Sequence, residues 1–133
     1  MKHLYTALLL STVIAMPAWA EQPQDFLTRF AAQAKTDNAA FSGFDASHGE
    51  QFFKSRHDGD WSCSSCHTDN SAEPGKHSVT KKDIKPLAPF TNPERFTNAE
   101  KVEKWFKRNC KDVLKRECTA QEKGDVLTYL LSL

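Results

Sequence analysis

The chain has 133 residues, 26% of them charged, with 18 basic against 17 acidic side chains; that length fits one domain. No basic run is long enough to argue for nucleic acid or a membrane surface as partner. Four cysteines are enough to raise the question of disulfides, metals or a cofactor.

Residues 1–20 read as an address rather than as structure. MKH is a basic start, LYTALLLSTVIAM an apolar run and AWA a small-x-small cleavage pattern, so cleavage is expected after Ala20. The apolar run is short for a bilayer span and lacks a basic stop-transfer flank. Cleavage leaves one domain over 21–133 and places it in the periplasm, an oxidising compartment. Both methionines, Met1 and Met16, leave with the segment, as does Lys2. The mature chain is then formally neutral, with 17 basic and 17 acidic residues.

Phe26, Leu27, Phe30, Ala31 and Ala34 recur at helical spacing and predict a helix over 24–36. A second, short helix is expected from Ser47 to Ser55, with Phe52 and Phe53 inward. From Asp58 to Pro93 the chain is rich in Gly, Pro, Asn and Ser and reads as loops, with Pro86, Pro89 and Pro93 denying it long helices. Two late helices are expected to open on capping boxes, Thr97 with Glu100 and Thr119 with Glu122. The last should bury Val126, Leu127, Leu130 and Leu131. No segment carries a convincing β alternation. The expected fold is all-α around a long irregular middle.

Such a chain buries modest apolar area by itself, so a large apolar cofactor would complete its core. CSSCH at 63–67 names that cofactor. Two thiols three positions apart suit the two vinyl groups of haem, and the adjacent imidazole then meets the iron. Cys63 and Cys66 are the expected attachment points and His67 the axial ligand of a single haem c. A thioredoxin-like pair would need a strand–turn–helix setting that is absent here. A zinc site would need a second pair, and Cys110 and Cys118 stand too far apart in sequence for that pattern. The expectation is a class I cytochrome c-like fold, a haem enclosed by short helices and a long loop.

A methionine sixth ligand is excluded in the mature chain. His48 and His57 lie close to the motif in sequence and read as surface histidines. His77 stands in a loop that could reach over the haem, which makes a bis-histidine electron carrier through His67 and His77 the alternative. Tyr129 reads as core. Asn109 is the other candidate, because Val102, Trp105, Phe106 and Asn109 share one helical face, with Val113 continuing it if the helix runs on. An amide buried there unpaired would cost about 1–3 kcal/mol, so it needs a partner. It is either an iron ligand or a helix C-cap.

The segments WSCSSCHT, PLAPFTNPERFTNAEKVEKWFKRNC and CTAQEKGDVLTYL, within Trp61 to Leu131, resemble the sphaeroides haem protein family of oxygen-binding monohaem cytochromes c. The resemblance implies that Asn109 is the sixth ligand of the oxidised haem and leaves on reduction. It also implies a disulfide between Cys110 and Cys118, and electron delivery from a dihaem cytochrome c fed by a membrane cytochrome b. O2, NO and CO are the small ligands expected at the freed position. The residues do not specify whether a bound ligand is turned over by oxygenase, peroxidase or nitric-oxide-consuming chemistry. A haem-based sensor is a weaker reading, because the sequence has no output domain. The amide's own chemistry agrees with the implied role, since a hard oxygen donor suits ferric better than ferrous iron.

Overall fold

Five helices and one two-residue strand pair form the regular structure of residues 20–133, which the computed structural model describes. The expected export segment, apart from Ala20, lies outside the described residues. In chain order the elements are α1 (Pro23–Asp37), α2 (Ala46–Lys54), α3 (Ser64–His67), β1 (Gly75–Lys76), β2 (Asp83–Ile84), α4 (Ala99–Leu114) and α5 (Ala120–Ser132). No helix among the described residues is long and apolar enough to cross a membrane.

Local chemistry explains the helix ends. Pro23 opens α1, where its missing N–H costs nothing. Asp45 caps α2 by accepting from the His48 N–H at 2.7 Å, so this helix begins at Ala46 rather than Ser47. The expected Thr97–Glu100 box is not what starts α4. Asn98 takes the extended conformation (φ −149°, ψ 117°), and its Oδ1 accepts from the Lys101 N–H at 2.9 Å. Thr97 instead donates its hydroxyl back to the Glu94 carbonyl. The Thr119–Glu122 box does open α5: Glu122 N–H donates to Thr119 Oγ1, and Thr119 N–H to Glu122 Oε2. The middle is loops broken by α3 and by the antiparallel β1–β2 pair, which departs from the expectation of no strand.

α5 is the central helix, and α1 and α2 both pack on it. The α2–α5 crossing is close enough that a Cβ on Gly49 would lie 2.0 Å from the Asp125 carbonyl oxygen. Glycine is required there by space. Phe26, Phe53, Leu127 and Leu130 are almost wholly buried, each worth roughly 1.5–3 kcal/mol in area removed from water. Val126 is buried as expected, and Leu131 only partly. Three apolar clusters form, around Phe26/Phe30, Phe53/Tyr129 and Cys110/Val113. Phe106 of α4 packs against all three.

The start of α5 is also an electrostatic device. Arg116 donates to both carboxylate oxygens of Glu122, at 2.8 and 2.6 Å. Burial works against the Glu122 charge, yet the bonds from Arg116 and Thr119 outweigh it and hold the carboxyl below its usual range. A lowered carboxylate pKa gives stability that is present above the usual value of 4.5 and is lost as pH falls through the lower folded-state value. Glu122→Gln should therefore cost about 1 kcal/mol at neutral pH. It should also reduce the loss of stability in acid, both read from urea unfolding at neutral and strongly acidic pH.

Candidate haem site

The CSSCH segment forms one helical turn, α3, with the His67 N–H donating to the Cys63 carbonyl at 3.1 Å. That turn puts the two sulfurs and the imidazole on adjacent positions of one short coil. Before it, Ser62 is buried and hydrogen-bonds Ser64 and Ser65 through its hydroxyl. These bonds fix the entry to the motif. Cys63 packs against the cluster of Phe53, Val126, Tyr129 and Leu130. Phe53 lies 6.3 Å from the His67 ring, centroid to centroid, and 5.7 Å from Tyr129.

Two glycines clamp the motif from outside. A Cβ at Gly75 would lie 2.0 Å from the Cys66 carbonyl oxygen and 3.0 Å from His67 Cα, so β1 runs directly against the motif backbone. A Cβ at Gly59 would stand 3.0 Å from the Val113 carbonyl oxygen, which ties the approach to the motif to the last turns of α4. Ser78 adds a polar contact. Its N–H lies 3.3 Å and its Oγ 3.2 Å from Cys66 Sγ, and the hydroxyl donates to the Ser65 carbonyl.

Burial, with a smaller contribution from the Arg95 charge, lowers the His67 pKa to about 4. The imidazole is thus neutral, the form that binds a metal. Arg95 is held by the carbonyls of Pro86 and Lys85, at 2.9 and 2.7 Å. Burial pushes the Cys63 thiol up to about 11. Cys110 and Cys118 are joined by a disulfide with Cα atoms 5.6 Å apart, and Cys63 and Cys66 are free thiols.

Asn109 sits inside α4 and not at its end. The helix runs on to Leu114 and closes at Lys115, which takes the left-handed conformation (φ 61°). The C-cap reading of Asn109 is therefore overturned. Val102, Cys110, Val113 and Leu114 are buried, and Asn109 is half-buried at the edge of that stripe. No hydrogen bond among the described residues engages its side chain. Trp105, expected on the inner face, is 48% exposed and carries the Arg108 guanidinium 5.5 Å over its ring. It stands further round the helix than Asn109, beyond the reach of the packed core.

The histidines that compete with Asn109 have local work. His77 Nδ1 accepts from the N–H groups of Val79 and Thr80, both at 3.2 Å. Its loop follows directly on β1, which Gly75 seats on the backbone of Cys66 and His67. His57 Nε2 donates to the Phe52 carbonyl at 2.9 Å, with its ring 4.5 Å from that of Phe52. His48 is exposed at a surface recess between Asn38 and Asp125. Tyr129 is core, its hydroxyl directed at the Asp69 carbonyl.

Comparison with known proteins then decides the family. The domain family described only as a domain of unknown function (DUF1924) matches residues 39–130. The cytochrome c-type protein SHP of Cereibacter sphaeroides is 39% identical over 129 residues, covering 92% of this chain and 95% of that one. The chain belongs to the sphaeroides haem protein family. Cytochrome c″ of Methylophilus methylotrophus is 49% identical over 70 residues, a match spanning 53% of this chain and 49% of the relative. Over that match the chain spans about half the relative's length. Among solved structures, oxidised cytochrome c″ superposes with a TM-score of 0.77 at 34% identity, over 83% of this chain and 93% of that one. Oxidised SHP, described as an oxygen-binding cytochrome c, gives 0.75 at 34% identity, over 86% and 99%. The mostly helical architecture read from the sequence is that of these proteins.

A member of this family is a c-type cytochrome, and the residues present fit haem c. Two unpaired thiols on one turn and a neutral imidazole beside them match the demands of the group. By contrast, the described residues contain no group of three or more His, Cys, Asp or Glu side chains that could hold a bare metal ion. Gly59, Gly75, Ser78 and Arg95 escaped the sequence reading, because each acts through contacts that no local pattern announces.

Gly75→Ala tests the clamp. The carbonyl it would meet belongs to backbone, which has no rotamer to yield. The substitution should cost about 2–4 kcal/mol in stability and lower the haem content of the purified protein, read from denaturant unfolding and the haem-to-protein absorbance ratio.

Proposed function

We propose that this chain is a periplasmic cytochrome with one haem c whose sixth position is held by Asn109 in the oxidised state and freed on reduction for O2, NO or another small diatomic ligand. Cys63 and Cys66 would hold the haem covalently, and His67 would be the permanent axial ligand. When bound, the haem supplies a one-electron iron centre with two axial positions. The observation that carries the reading is Asn109 itself: an amide in mid-helix, on the edge of an apolar stripe, with no hydrogen-bond partner among the described residues. Asparagine is a poor helix former away from the ends, so helix stability does not account for it.

The chain's own residues account for reversibility. The Asn109 amide oxygen is a hard, weak donor that suits ferric iron and yields readily from ferrous iron. Its backbone is held in place by Phe106 one turn before it and by the Cys110–Cys118 disulfide immediately after it. Departure of the amide is therefore a side-chain motion within a fixed helix. Trp105 and Phe106 stand on either side of it around the helix, so the freed position has an aromatic border. The oxygen-binding description of SHP supports the choice of ligand. The same logic requires an electron donor, and family membership favours a dihaem cytochrome c in that role.

The bis-histidine alternative draws on His77, whose loop lies against Cys66 and whose Nδ1 closes its own turn. The two readings part on substitution. Asn109→Ala should leave the haem content unchanged, because Cys63, Cys66 and His67 are untouched. The ferric spectrum should turn from low-spin to high-spin, the reduction potential should rise, and CO binding to the reduced protein should change little. His77→Ala should keep the low-spin ferric spectrum. The opposite pattern, with the low-spin spectrum lost in His77→Ala and kept in Asn109→Ala, would establish the electron carrier instead.

A further inference from the structure

The mature chain is formally neutral, yet its charge is unevenly placed. Residues 99–116 carry seven Lys and Arg against three acids, and the rest of the mature chain carries ten against fourteen. α4 therefore concentrates the positive charge of a neutral protein. Its inner stripe is buried in the core, which turns the opposite side outward. At 100° per residue, Lys101, Lys104, Arg108, Lys111 and the cap residue Lys115 fall within about 80° of one another, along about 21 Å of helix. All five are exposed.

Most of these charges are not neutralised within the molecule. Among the described residues Lys101, Lys104 and Arg108 form no ion pair, and Lys115 donates only to the Asp112 carbonyl. Lys111 has Glu117 at 3.9 Å, a carboxylate it shares with Lys107. Of the two acids in the first turns, Glu100 forms no ion pair among the described residues and Glu103 is taken by Lys123 at 2.7 Å. A solvated helix face usually alternates its charges in i, i+4 pairs. Here Glu100 and Asp112 border the row at that spacing from Lys104 and Arg108 without forming ion pairs among the described residues, so on this ridge five basic side chains face two acids. Trp105 borders the ridge, between it and Asn109 around the helix, and supplies a large apolar contact beside the Arg108 guanidinium. Trp and Arg are the side chains that most often anchor protein interfaces.

We propose that this ridge is the docking surface for an acidic redox protein, which gives up one electron to the haem of this chain. The inference rests on the ligand-switch reading above, which requires a donor but says nothing of where it binds. Complementary charge steers such an encounter and raises its rate more than its affinity. The position has a functional consequence, because a partner on the ridge meets the helix beside the residue proposed to leave on reduction. An anionic membrane is the less suitable occupant: the apolar stripe of α4 that would insert is buried in the core.

The test uses the haem-loaded protein and flavodoxin hydroquinone, an acidic one-electron donor, in stopped flow. The wild-type bimolecular rate should fall steeply with added salt. The double reversal Lys104→Glu with Arg108→Glu should lower it roughly tenfold at low salt. The control Lys35→Glu with Lys81→Glu, equal in charge change but away from α4, should lower it less than about twofold. Reduction by a neutral small reductant, and the CO response of the reduced protein, should be the same in all three. A rate indifferent to salt, or an equal loss in both reversals, would overturn the docking surface. So would a ridge reversal that abolishes binding to phosphatidylglycerol vesicles while sparing the flavodoxin rate. A reduced wild-type protein that ignores CO would instead contradict the ligand switch, and leaves the docking result readable on its own.

Discussion

Phe106 is the side chain on which the arrangement of the haem site depends. It meets Phe30 edge-on at 5.7 Å and Phe96 at 6.4 Å, and it packs against all three apolar clusters. A helix held at one such junction has its rotation about its own axis fixed. Once Phe106 faces inward, Asn109, three residues on, is set on the edge of the buried stripe, and Lys104 and Arg108 point to solvent. The aromatic junction thus assigns both the inner and the outer chemistry of α4.

The haem-binding segment is placed by a different principle. α3 has no fully buried side chain of its own and is held largely through backbone. Gly75 brings β1 onto the Cys66 carbonyl, and Gly59 brings the entry loop onto the end of α4. Behind them, the α2–α5 crossing at Gly49 carries Phe53 and Tyr129 toward His67. Contacts to backbone cannot relax by a rotamer change, so they suit a segment that must hold two thiols and an imidazole in register. Low local polarity around His67 follows from the same packing and keeps its imidazole neutral.

Much of this was legible in the sequence where the cause is local. The CSSCH spacing, the Thr119–Glu122 box and the stripe of Val102, Phe106 and Val113 each depend on residues within about three helical turns. Thr97 and Asn98 are adjacent competent caps, and the choice between them is made by backbone dihedrals that composition does not encode. The β1–β2 pair is too short for any alternation to show, and arises because its loop folds back on Cys66. Trp105 was expected inward from periodicity alone, but it stands past the edge of the buried stripe. Asn109 left two readings open, and only the continuation of α4 to Leu114 removed the cap.

The most direct measurement is a crystal structure of the haem-loaded protein determined in the oxidised state and again after reduction within the crystal. The account predicts the Asn109 amide oxygen within coordinating distance of the ferric iron and withdrawn from the ferrous iron, with α4 unmoved in both. A histidine nitrogen at the sixth position in both states, or an Asn109 side chain turned from the iron in both, would contradict it.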